Sequence, residues 1–106
     1  MTYSYPIEQT LIKKARKSIC RYKISAIGFD KNGSILGSAF NRPRFSREAG
    51  GIHAEMALLQ KYGKRLKTVV ICRVNSKGKL LQIEPCENCK DVLEKLGIRI
   101  YTLNEK

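Results

Sequence analysis

Two short segments, thirty residues apart, restrict this chain more than anything else in it: His53-Ala54-Glu55 and Pro85-Cys86-Glu87-Asn88-Cys89. One imidazole and two thiolates are borderline-to-soft donors, a set that suits zinc. Donors so far apart in sequence meet on one ion only if the fold brings both segments together. Three protein ligands leave the fourth tetrahedral position open, the arrangement of catalytic rather than structural zinc sites. A carboxylate two residues after the histidine can manage the protons of a water there. Alone, His-x-Glu is common, and Cys-x-x-Cys also serves structural and redox pairs. Their co-occurrence, with Pro85 in place and each half opening a predicted helix, narrows the reading to a metal centre. Cys86 and Cys89 stand three apart and so share one face of a first helical turn. The partial positive charge of a helix N-terminus favours their thiolates.

At 106 residues the chain has room for one domain, 1–106, with a modest core. No apolar run reaches the length of a signal-peptide core or a membrane span, so a cytoplasmic setting with no membrane partner is expected. Cys20 and Cys72 fall in a predicted helix and a predicted strand and read as small buried hydrophobes. Lys and Arg outnumber Asp and Glu by 21 to 9, a formal charge of +12. Such an excess is either a solubility surface or the footprint of a phosphate-bearing partner, and it is spread over both halves of the chain.

Residues 7–22 place Ile7, Leu11, Ala15, Ile19 and Tyr22 at helical spacing, with Lys13, Lys14, Arg16, Lys17 and Arg21 on the other side. Residues 23–29 and 34–40 read as strands. Asn32-Gly33 between them supplies the two positive-φ residues of a tight hairpin turn. Residues 41–52, marked by Pro43 and Gly50-Gly51, form an irregular loop. A second helix begins near His53 and ends at Gly63, and the β-branched run 68–74 is a buried strand. A turn at Lys77-Gly78 and a short extended piece through Leu80, Leu81 and Ile83 come next. The third helix starts behind Pro85, presents Val92, Leu93 and Leu96 to the core and ends at Gly97. Residues 98–103 are the last strand. The order α-β-β-α-β-α-β, with a parallel strand–helix–strand unit over 68–103, predicts an α/β fold in three α/β/α layers: a mixed sheet with helices on both faces.

These residues and their order resemble the cytidine deaminase superfamily, whose signature is H-x-E…P-C-x-x-C. Its members include nucleoside, deoxycytidylate, tRNA adenosine and polynucleotide cytidine deaminases, and the likeness runs from the first helix to the last strand. It implies a cytidine-deaminase-like fold, a Zn2+ ion held by His53, Cys86 and Cys89, and Glu55 as the catalytic proton shuttle rather than a ligand. Asn41-Arg42-Pro43 resembles the Asn-Arg-Pro loop of tRNA adenosine deaminases, which implies that Asn41 contacts sugar or base; capping a turn is the alternative. Arg99-Ile100-Tyr101 resembles the Arg-Ile-Tyr segment of polynucleotide cytidine deaminases, which implies that Tyr101 packs on the target ring. A strand residue in the core is the alternative there. By the same likeness the backbone N–H groups of Ala54 and Cys86 face the substrate pocket. Arg44 and Phe45, in the basic loop before Arg47, are candidates for strand contact and stacking, against an ordinary loop aromatic.

The expected function is zinc-dependent hydrolytic deamination of cytosine to uracil. Net charge, the basic loop from Arg42 to Arg47 and the Arg99–Tyr101 likeness favour cytosine in single-stranded DNA or RNA, because a base must leave the stack to enter such a pocket. The alternatives are deamination of free cytidine, deoxycytidine or deoxycytidylate, and adenosine in tRNA on Asn41-Arg42-Pro43 alone. A non-catalytic zinc module that binds nucleic acid or protein is a third class, against which Glu55 speaks. The resemblance implies a further strand after the one at 98–103, for which no residues are expected here. The last strand is therefore expected to be an exposed edge, open to pairing in a homo-oligomer.

Overall fold

A computed structural model of the chain describes residues 5–17, 23–41, 53–83 and 87–103. Helix α1 (Tyr5–Ala15) leads into strands β1 (Lys23–Phe29) and β2 (Ile35–Phe40). After them come α2 (Ala54–Tyr62), a single 3-10 turn (Gly63–Arg65), β3 (Thr68–Val74), β4 (Leu80–Leu81), α3 (Glu87–Lys95) and β5 (Arg99–Leu103). No helix of the described residues is long and apolar enough to cross a membrane.

The β-branched run Thr68–Val74 makes the central strand, flanked on one side by β1, antiparallel along its whole length from Lys23↔Val74 to Phe29↔Thr68. With that edge filled, the other is shared: β5 pairs in parallel with residues 68–72, and β4 pairs antiparallel with Arg73 and Val74. β2 closes the β1 side. The parallel pairing of β3 with β5 through α3 is the one predicted from sequence.

Alternation along the strands sorts the core into two layers. Ala26, Val69 and Ile71 face α2 and α3, where Ala54, Leu58 and Leu93 are fully buried. Ile27, Phe29, Val70, Cys72 and Val74 face α1, through Leu11 and Ala15. Helices therefore cover both faces, as predicted, and α2 and α3 share one of them. On the α1 side, fully buried Ser25 donates from Oγ to the Leu11 carbonyl at 2.5 Å and meets Cys72 Sγ at 3.3 Å. Burial pushes the Cys72 thiol up, the Ser25 hydrogen bonds oppose this, and the Glu8 charge adds to the rise. Cys72 is thus the small buried thiol its strand context predicted; Cys20 lies outside the described residues.

Three local expectations are corrected. The α-helix of the first segment ends at Ala15 rather than near residue 22, and residues 18–22 lie outside the described set. The hairpin turn has one positive-φ residue, Gly33 at 81°, and not two. Its extra order comes from Asp30, whose carboxylate accepts from the N–H groups of Asn32 and Ser34, both at 2.9 Å. That short acceptor holds a turn in which only the final glycine need be left-handed. Asn75 does the same for Lys77 and Lys79 on either side of Gly78, so one turn design is used twice. In α3, finally, Leu93 is buried but Val92 and Leu96 are 39% and 54% exposed. The buried stripe runs from Cys89 to Leu93, one turn apart, which rotates Val92 outward. Leu96 falls beyond Lys95, where the Ile98 N–H reaches back to the Leu93 carbonyl at 2.8 Å and closes the helix.

Gly28 allows α2 to lie close on the sheet: a Cβ there would come 2.5 Å from Leu66 Cδ1 and 3.6 Å from Leu58 Cδ1. Gly28→Ala should destabilise the fold by about 1–3 kcal/mol through overpacking. Urea unfolding checks this, and trimming the clash with Leu66→Val should recover part of the loss.

Candidate active site

His53 stands at the N-cap of α2 with extended backbone (φ −73°, ψ 144°), its carbonyl accepting the Ala57 N–H at 3.0 Å. Its ring does not cap the helix. It turns instead to α3, where Nδ1 lies 3.2 Å from Cys89 Sγ, in hydrogen-bond contact. Ala54 and Leu58, one turn apart and fully buried, pin the first turn of α2 to the sheet and so fix where His53 and Glu55 point. Cys89 sits in the first turn of α3, anchored by Leu93 one turn later, and is 5% exposed. Because both helices lie on the same face of the sheet, segments thirty residues apart meet at their N-terminal ends.

Glu55 is 4% exposed, an unusual place for a carboxylate. Burial pushes its pKa up from the ordinary 4.5, while its own backbone N–H and the nearby His53 pull the other way. One ligand atom each from His53, Glu55 and Cys89 lie within 4.8 Å of one another. Zinc ligands at the usual bond lengths and tetrahedral angle stand about 3.5 Å apart. The observed 3.2 Å between Nδ1 and Sγ is close to that spacing, and imidazole with thiolate is a donor pair zinc accepts. The residues present therefore fit a zinc ion.

Of the predicted site residues, His53, Ala54, Glu55 and Cys89 are brought together at these helix ends. Cys86, Arg44 and Phe45 lie outside the described residues. Asn41 caps the sheet: its Oδ1 accepts the Ile24 N–H and its own N–H donates to the Ile24 carbonyl, both at 2.9 Å. Tyr101 takes the strand position given as its alternative. It is paired with Val70 and packs partly buried against the cluster under α1, while also bordering a cleft with Lys90 and Glu94 of α3. Strand alternation sends Ile100, and not Tyr101, to the side that carries Glu55 and Cys89.

A stability test isolates the Glu55 carboxyl. Folding the metal-free chain favours its neutral form, so that contribution is full below pH 4.5 and is lost as pH rises from 4.5 through the raised folded-state value. In chelator-treated protein, Glu55→Gln should therefore gain in Tm over the unmodified chain as pH rises towards neutrality. A difference that stays constant across that range would contradict the burial argument.

The family described as the cytidine and deoxycytidylate deaminase zinc-binding region matches residues 4–103. Among curated proteins no relative is found. Solved structures with the same fold include cytidine deaminase from Mycobacterium tuberculosis, at 19% identity and TM-score 0.64 over 97% of this chain and 86% of that one. Cytidine deaminase from Burkholderia pseudomallei aligns at 14% identity and TM-score 0.67, over 96% of this chain and 87% of that one. The dCMP deaminase of cyanophage S-TIM5, in complex with dCMP and dUMP, aligns at 21% identity and TM-score 0.59, over 99% and 86%. At such identities the likeness is one of fold, and the family is shown by the matched region. Because that region spans all but three residues at each end, the chain belongs to the zinc-binding cytidine and deoxycytidylate deaminase family.

Proposed function

We propose that this chain hydrolyses the 4-amino group of a cytosine carried on a free nucleoside or nucleotide, with His53, Cys86 and Cys89 as zinc ligands and Glu55 as the proton shuttle. The observation that carries the reading is the meeting of the His53 ring, the Cys89 thiol and the buried Glu55 carboxyl within 4.8 Å. The family description, which names cytidine and deoxycytidylate, supports the free compounds as substrates, as does the likeness of fold to enzymes named for them.

Bound zinc supplies the Lewis acidity that makes water nucleophilic near neutral pH. The Glu55 carboxylate takes a proton from that water and delivers it to ring N3 as the oxygen bonds to C4. The same carboxyl then moves a second proton to the exocyclic nitrogen, the C4–N bond breaks, and ammonia leaves behind a C4 carbonyl. Glu55 is only 4% exposed, which keeps competing water from the carboxyl while it passes the proton on. Asn41 and the backbone N–H of Ala54 are the proposed substrate contacts.

Cytosine within a single strand is the second reading, favoured by the +12 charge. Mass spectrometry on cytidine, deoxycytidylate and cytosine-containing oligonucleotides separates the two. The first reading expects the amine-to-oxygen mass gain in the free compounds, and a gain confined to the oligonucleotides overturns it in favour of the second.

A further inference from the structure

The outer edge of β2 is an open cleft between the two helix layers, with a volume of about 390 Å³, lined by Ser38 and Phe40 of β2, Lys14 of α1 and Ala57, Gln60 and Lys61 of α2. Lys14 and Lys61 approach it from opposite faces of the sheet. No carboxylate is among its described lining residues. Lys14 Nζ lies over the Phe40 ring, 5.5 Å from its centroid, so a cation and an aromatic face are already combined there. Beyond the cleft the surface stays basic: Lys13, Arg16 and Lys17 are exposed around α1, and Lys64 and Arg65 are exposed past α2.

We propose that this β2-edge cleft binds single-stranded nucleic acid, with Lys14 and Lys61 on successive backbone phosphates and Phe40 as a platform for a base. A polyanion complements a cleft with cations on both walls in a chain of net charge +12. Cations interleaved with an aromatic ring are the combination that holds single strands. A base paired inside a duplex does not offer its face to a side chain, whereas an unpaired one does. Ser38 and Gln60 add hydrogen-bonding groups that need no particular base. The cleft is distinct from the deaminase site and near it: Ala57, on its wall, donates its N–H to the carbonyl of His53. A strand held here is anchored one helical turn from the catalytic end of α2. The inference does not depend on which cytosine compound is the substrate.

The test is fluorescence anisotropy of the zinc-loaded full chain with a labelled oligothymidylate, which contains no cytosine and so leaves the deaminase reaction out of the measurement. Lys14→Ala with Lys61→Ala should weaken binding roughly 25-fold at 0.1 M salt. The logarithmic salt slope should fall by about 1.4, the share of two single-strand phosphate contacts at about 0.7 each. Lys14→Arg with Lys61→Arg should keep both values, and cytidine deamination should be unchanged in either pair. The control pair Lys90→Ala with Lys95→Ala, on α3, removes equal charge away from the cleft and should have a much smaller effect. No binding by the unmodified chain, an unchanged affinity in the Lys14/Lys61 alanine pair, or an equal loss in the α3 pair would each overturn the proposal.

Discussion

Glu55→Ala should lower kcat for cytosine deamination by about 10²–10⁴-fold, the usual worth of a positioned general acid–base, with zinc content unchanged. Two features make the effect specific. The carboxyl lies in the first turn of α2, beside the fully buried Ala54, and at 4% exposure it is the buried carboxylate among the described residues. In the proposed mechanism it carries a proton twice, to the ring nitrogen and then to the leaving amine, so both halves of the reaction should suffer. Glu55→Gln keeps the volume and loses the proton transfer, and it should be as inactive as the alanine variant. Steady-state kinetics with metal analysis decides the matter: activity within a few-fold of the unmodified chain would turn the centre from a catalytic one into a structural or binding one.

Removing a ligand should act on zinc itself. Cys89→Ala and His53→Ala should each lower zinc from near one ion per chain to near zero, and should cost about 10³-fold or more in activity with the Lewis acid gone. A second signature appears in stability. An ion bound to the folded state only raises Tm in proportion to its binding, so a chelator should lower the Tm of the unmodified chain and leave that of Cys89→Ala unmoved. Since Cys89 and His53 meet across the ends of α3 and α2, this Tm response reports the joining of the two helices as well as the metal. Zinc retained at full stoichiometry in Cys89→Ala would assign it to other residues.

How far the sequence revealed this arrangement differs from element to element. β1 and β3 follow their predicted bounds, 23–29 and 68–74, because continuous β-branched and apolar runs have no competing helical reading. His53, Glu55 and Cys89 were legible because metal chemistry demands particular donors at particular spacing, and that spacing is local to each helix start. Side-chain direction was harder to read. Val92 and Leu96 look as apolar as Leu93, and only the burial of Cys89 selects which stripe of α3 turns inward. Tyr101 lies in a correctly predicted strand, yet the β3–β5 register sends it under α1, and pairing register is a tertiary property. The hairpin was placed correctly but its turn was not, since the Asp30 carboxylate replaces one of the two left-handed residues. The β2-edge cleft had no signature at all: Lys14, Phe40 and Lys61 come from three elements and form no motif until the sheet assembles.

The most direct measurement of the central claim is deamination of cytidine and deoxycytidylate by the zinc-loaded chain in water enriched in oxygen-18. Hydrolysis through Glu55 predicts uracil products that carry the heavy oxygen at C4, ammonia released in equal amount, and neither from Glu55→Ala. No product from any cytosine compound, or a product whose C4 oxygen is unlabelled, would contradict the account.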